Sequence, residues 1–91
     1  MSSKEREKYR LKITPRFDKC FLKLPKQVRS RIARKIDELK MNPHAYKKLH
    51  GKFEGLFSMR IGDYRVIYII NEKEREVILL SATHRRKAYE I

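Results

Sequence analysis

Apolar positions follow two different periods along this chain, and the change falls near its middle. Tyr9-Arg10-Leu11-Lys12-Ile13-Thr14 alternates apolar and basic residues over one strand length, which reads as a half-buried strand. Pro15 closes it and suits the first turn of a helix, with Thr14 as its N-cap. Phe17, Cys20, Phe21 and Leu24 then recur at i, i+3, i+4 and i+7, one apolar stripe on a helix that Pro25 ends. Pro25 can also begin a second helix, where Val28, Ile32, Ile36 and Leu39 keep helical spacing. Arg29, Arg31, Arg34 and Lys35 fall mostly on its other faces, and Asn42-Pro43 stops it.

Beyond that point the pattern becomes strand-like. Leu56 to Ile61, Tyr64 to Ile70 and Val77 to Thr83 are rich in β-branched and aromatic residues. Gly62-Asp63 joins the first two with the signature of a two-residue type II′ turn, and the polar run NEKERE at 71–76 makes the next turn. The run Val66 to Ile70 is apolar on both faces and is expected at the centre of the sheet. The predicted fold class is α+β: an N-terminal strand, a helical hairpin, then a three-stranded antiparallel meander forming a small sheet packed on the helices. One domain is expected to span 1–91, with 1–8 a flexible tail.

Composition narrows the function. Lys and Arg number 24 against 11 Asp and Glu, a formal charge of +13, so the expected partner is a polyanion, either nucleic acid or an acidic protein. A hydrophobic share of 41% set in periodic runs argues for a folded body despite 38% charged residues. The single Cys20 forms no internal disulfide, and with three scattered histidines it offers no zinc-ligand spacing. The longest uncharged apolar run, Val66 to Ile70, falls far short of the roughly 20 residues that cross a membrane. MSSKEREKYRLK lacks the apolar core of a secretory signal, and a cytoplasmic location is the expectation.

The hairpin register points to chemistry. With a two-residue loop, Ile61 faces Tyr64 and Arg60 lies opposite Arg65, on the face that also carries Leu56, Ser58, Ile67 and Ile69. Phe57, Met59, Ile61, Tyr64, Val66, Tyr68 and Ile70 occupy the other face, the natural core. Two cations side by side cost a few tenths to ~1 kcal/mol, which a bound anion would relieve. Planar guanidiniums suit a phosphate, since each can donate two parallel hydrogen bonds. Arginine is also an ordinary choice for a solvated strand face, where Asp63 or Glu54 could neutralise one of the pair.

The C-terminal run His84-Arg85-Arg86-Lys87-Ala88-Tyr89 leaves the last strand directly. Its cations can hold phosphates and Tyr89 can stack on an unpaired base, as a single-stranded RNA site requires. The alternative is a solvated basic tail with Tyr89 as a terminal anchor. Lys47, Lys48 and Lys52 form a third basic patch, placed in a loop before the hairpin and suited to steering. No phosphate-cradling glycine motif occurs, and no acidic cluster accompanies the arginines, so neither a metal nor another cofactor is expected. RNA can be cut without metal through its own 2′-hydroxyl, if a protein aligns it, neutralises the phosphate and moves protons.

The order of elements, with KLHG before the hairpin, GDYRVIY at its second strand and HRRKAY at the end, resembles the RelE/ParE toxin superfamily from Tyr9 to Tyr89. The terminal HRR-x-x-Y is more similar to RelE than to ParE. This resemblance implies a RelE-like microbial RNase fold and a ribosome-dependent endoribonuclease that cuts mRNA in the A site. It implies catalytic roles for Arg60, Arg65, Arg85 and Tyr89, with Arg86 as the substitute for Arg85 and Tyr89 stacking on or orienting the base. Ser58 stands where the bacterial pattern has a lysine able to transfer protons. Arginine is a poor base because its pKa stays above ~12, so His84 is the substitute proton acceptor. Lys47, Lys48, Lys52, Arg86 and Lys87 are expected to bind nucleic acid. The implied partners are an acidic, RelB-like antitoxin, mRNA on the ribosome and rRNA. Competing readings are a ParE-like gyrase inhibitor and a basic ribosome- or RNA-binding module that cuts nothing.

Overall fold

The computed structural model describes residues 8–88. Most of the expected N-terminal tail, and Tyr89, lie outside the described residues. Strand β1, Arg10–Ile13, runs into Thr14, whose hydroxyl does two jobs. It accepts from the Phe17 N–H at 3.1 Å, capping the first helix, and donates to the Leu79 carbonyl at 2.8 Å. Helix α1, Pro15–Leu22, has Pro15 in its first turn, where a missing N–H costs nothing. It ends two residues before the apolar stripe does. Pro25 disfavours helical backbone at Leu24, and the chain tightens, with Lys23 and Leu24 donating to the carbonyls of Cys20 and Phe21.

Helix α2, Lys26–Asp37, buries Ile32 and Ile36, and a 3₁₀ turn, Glu38–Lys40, carries Leu39 into the same core. The remaining strands are β2, Lys47–Lys48; β3, Phe57–Ile61; β4, Tyr64–Asn71; and β5, Glu76–His84. They form one five-stranded sheet in the order β1-β5-β4-β3-β2. The meander β3-β4-β5 is antiparallel, as its sequence predicts, and β4 is central. β1 lies parallel to β5, with Arg10 beside Glu76 and Ile13 beside Leu79.

Two features depart from the sequence reading. Lys47 and Lys48 are not loop residues but a short edge strand, paired with Ser58 and Phe57. Its ladder is made by backbone groups, so two lysines carry no apolar period to betray it. The second is a bulge, where Ile67 pairs with Ser81 but Tyr68 pairs with Leu79. One extra residue, Leu80, therefore enters β5.

The core lies between the helices and one sheet face, around Phe17, Ile32, Leu39, Met59, Val66, Tyr68, Val77 and Leu79. Phe57 and Tyr68, directly opposed across β3 and β4, stack at 5.4 Å. The buried Tyr68 hydroxyl donates to the Pro43 carbonyl at 2.6 Å, and burial pushes its phenol well above the ordinary range. Tyr68→Phe leaves that carbonyl short of a partner and is expected to cost about 1–2 kcal/mol in urea unfolding.

A polar clasp closes the far end of the sheet. The Tyr9 hydroxyl donates to Glu72 at 2.8 Å, His44 Nε2 meets the same carboxylate, and Arg75 lies 4.3 Å over the Tyr9 ring. Arg75 also reaches Glu72 at 3.3 Å and the Lys8 carbonyl at 3.2 Å. The start of β1, the segment after α2 and the β4–β5 turn are thereby joined. The Tyr9 hydrogen bond, then the His44 one, holds the Glu72 carboxyl below its ordinary value. A lowered carboxyl stabilises the fold above the unfolded pKa, and the contribution is lost as pH falls through the folded one. Below about pH 4.3, the melting temperature of the native chain should therefore fall more steeply than that of Glu72→Gln. Parallel curves would show that Glu72 contributes nothing.

Candidate nucleic-acid interface and active site

The site is built on the β3–β4 hairpin. Gly62 has φ +60°, which a type II′ turn requires and a side chain would strain. The two-residue loop sets Ile61 opposite Tyr64 and Arg60 opposite Arg65, as the sequence register predicts. Arg60 is exposed and Arg65 half-buried. Among the described residues, neither Asp63 nor Glu54 makes an ion pair with either arginine. Arg60 Nε donates to the Gly62 carbonyl at 3.2 Å, so its side chain bends over its own turn.

The bulge brings unforeseen residues to this face. Thr83 is the cross-strand neighbour of Arg65, and Ser81 that of Ile67. On the other flank Ser58 pairs with Ile67, and Lys47 pairs with Ser58. One row thus reads Lys47-Ser58-Ile67-Ser81 across four strands, beside the row Arg60-Arg65-Thr83. Ser58 and Ser81 are each only 2% exposed. The hydroxyls of Ser58, Ser81 and Thr83 are buried with no hydrogen-bond partner. Each such group costs about 1–3 kcal/mol, so the arginine face is underlain by a row of polar groups that its own fold leaves unpaired. Sequence alternation alone hides these hydroxyls. The unsatisfied polar atoms reveal them.

The C-terminal segment divides. The Arg85 N–H donates to the Asp63 carbonyl at 2.7 Å, which ties the 3₁₀ turn Arg85–Lys87 to the tip of the arginine hairpin. Arg85, Arg86 and Lys87 are exposed there. His84 goes elsewhere. It pairs with Tyr64, a residue of the core face, and the two rings meet edge-on at 5.4 Å. Its Nδ1 accepts from the Arg86 N–H at 3.3 Å, capping the turn. His84 and Lys87 border a groove of about 390 Å³ against Lys23 and Leu24, on the helix side of the sheet. Lys47, Lys48, His50 and Phe53 border another of about 310 Å³ at the β2 edge, and the Lys52 ammonium sits 5.3 Å from the Phe53 ring centre. Among the described residues no three His, Cys, Asp or Glu side chains gather as metal ligands would.

A small mixed sheet backed by two helices is the fold of the RelE/ParE toxin superfamily. The chain belongs to the family described as ParE toxin of type II toxin–antitoxin system, parDE, whose model matches residues 11–89. Within that superfamily most of its relatives carry RelE names, and the chain is a RelE-family toxin. Toxin RelE of Mycobacterium tuberculosis is 41% identical over 49 residues, 53% of this chain and 50% of that protein. In the archaeal RelE–RelB complex from Pyrococcus horikoshii, the matched chain is 34% identical with a TM-score of 0.72, over 89% of this chain and 99% of that one. In the toxin–antitoxin complex RelBE2 from M. tuberculosis it is 28% identical with a TM-score of 0.79, over 85% and 98%.

Proposed function

We propose that this toxin is a ribosome-dependent endoribonuclease that cuts mRNA in the A site, without metal, through attack of the substrate's own 2′-hydroxyl. The observation that carries the reading is the Arg60–Arg65 cross-strand pair, free of carboxylates among the described residues and bordered by three buried, unpartnered hydroxyls. In this reading the 2′-hydroxyl gives its proton to solvent water as its oxygen attacks phosphorus, the bond to the 5′-oxygen breaks and that oxygen takes up a proton, and a 2′,3′-cyclic phosphate and a 5′-hydroxyl remain. Arg65, aided by Arg60 and Arg85, stabilises the charge that builds on the phosphoryl oxygens. Tyr89 stacks on the base, and Lys47, Lys48, Lys52, Arg86 and Lys87 hold the backbone.

Proton transfer is the part the geometry reshapes. His84 lies on the helix side of the sheet, away from Arg65, and serves this reading only as a cap for the Arg85 turn. Lys47, directly beside Ser58, returns a cation to the place where the family pattern has its lysine. An ammonium there can donate a proton to the departing 5′-oxygen. An acidic, RelB-like antitoxin binds the same basic surfaces and silences the toxin in the cytoplasm, as the RelB partners of the structural relatives suggest.

Two other readings have an observation each: the ParE description of the family model favours a gyrase inhibitor, and Ser58 favours a binder that cuts nothing. Programmed ribosomes with an empty A site, incubated with the toxin and EDTA, separate the three by primer extension. A discrete cut inside the A-site codon is the expected result. Ribosome binding without a cut would overturn the nuclease in favour of the binder. Inhibition of gyrase supercoiling with neither would establish the ParE-type activity.

A further inference from the structure

A second concentration of cations lies around the corner from the hairpin face. β2 covers β3 only at Phe57 and Ser58, so 59–61 form an open sheet edge. In a two-residue hairpin the pair flanking the turn is hydrogen-bonded and pairs alternate thereafter, so the Arg60 backbone N–H and carbonyl point outward over this edge. Helix α2 flanks it with Arg31, Arg34 and Lys35, at i, i+3 and i+4 on one face. With Arg60 and Gly62 they line a groove of about 310 Å³.

Two guanidiniums converge on the turn itself. A Cβ at Gly62 would meet Arg31 Nη2 at 3.0 Å, while Arg60 Nε donates to the Gly62 carbonyl at 3.2 Å. Among the described residues the one acid lining the groove, Glu38, is engaged by Lys35 at 3.8 Å and by the Tyr46 hydroxyl at 3.2 Å. A lone edge lysine suffices to keep a strand from pairing with another chain. Four cations drawn from a helix and a strand exceed that need.

We propose that this groove is a second phosphate site, which takes the backbone of a single-stranded RNA as it leaves the sheet face and crosses the β3 edge. Arg60 belongs to both surfaces and makes them one continuous path. Forked guanidiniums match phosphodiester oxygens, which every nucleotide step supplies, whereas an acidic peptide offers carboxylates at irregular spacing. The inference rests on RNA being the substrate. Its test uses binding alone, so that it can fail independently of cleavage.

A fluorescent, 2′-O-methylated RNA oligonucleotide, which cannot be cut by its own 2′-oxygen, is titrated by anisotropy over a series of salt concentrations. Arg31→Ala/Arg34→Ala is expected to bind about 10-fold more weakly near 0.1 M salt. The slope of log affinity against log salt should shrink by about 1.4, at ~0.7 for each phosphate that the variant no longer neutralises. Arg31→Lys/Arg34→Lys should recover the slope but not the whole affinity, and circular dichroism melting checks that both variants fold. Unaltered affinity and slope in the alanine variant would overturn the proposal, as would absence of RNA binding by the native chain. A loss seen with the acidic antitoxin but not with RNA would make the groove a peptide site instead. Groove-dependent RNA binding by a protein that never cuts would count against the nuclease, and leave the groove standing.

Discussion

Arg65→Ala is expected to lower cleavage of the A-site codon by ~10²-fold or more while the protein remains folded. Phosphoryl transfer builds charge on the phosphoryl oxygens, and a preorganised guanidinium meets that charge without reorienting solvent. Arg65 is well placed to do so. It is half-buried on the central strand β4, flanked by Arg60 on β3 and Thr83 on β5. Stability should move the other way. Removing one of two opposed arginines relieves repulsion, so the melting temperature should stay level or rise by the equivalent of a few tenths to ~1 kcal/mol. Arg65→Lys should recover part of the rate, because an ammonium supplies the charge but not the fork. Time courses of primer extension beside thermal melts check both halves. Cleavage at the native rate by Arg65→Ala would remove this residue from the chemistry.

Phe17→Ala is expected to cost about 3–5 kcal/mol in urea unfolding. A domain of this kind commands roughly 5–15 kcal/mol in all, so the variant should lose a large share of its stability and unfold at a clearly lower urea concentration. Phe17 is 2% exposed, packs from α1 into the main core, and stacks on Phe21 at 5.5 Å. Its removal opens a cavity under a helix of only eight residues, too short to persist without packing. Leu22 in the same helix supplies the contrast. It is 60% exposed, and Leu22→Ala should stay within about 0.5 kcal/mol. Equal losses at the two positions would contradict the assigned face of α1.

Local rules made much of the molecule legible beforehand. Helical spacing located α1 and α2, Thr14 and Pro15 located the start of α1, and a glycine at the first turn position set Arg60 against Arg65. Each follows from backbone geometry within a few residues, which is information a sequence carries directly. The double-sided apolar run at Val66 to Ile70 also marked which strand is central, because only a strand covered on both sides can bury both faces.

Long-range pairing set the rest. Strand period alone, counted from Val77 and Leu79 in the core, sends Ser81 and Thr83 inward and His84 out beside the arginines. The bulge at Leu80 reverses that parity, since one inserted residue turns every later side chain to the opposite face. It exchanges a titratable imidazole for two hydroxyls on the arginine face. Lys47 reached that face through backbone pairing with Ser58, and Arg31 met Gly62 only because α2 packs beside the β3 edge. The two helices, the strands of the meander, the core and the facing arginines were written into the order of residues, because they depend on neighbours along the chain. Which polar groups surround those arginines came from three-dimensional pairing, through one extra residue in β5 and one edge strand without an apolar period.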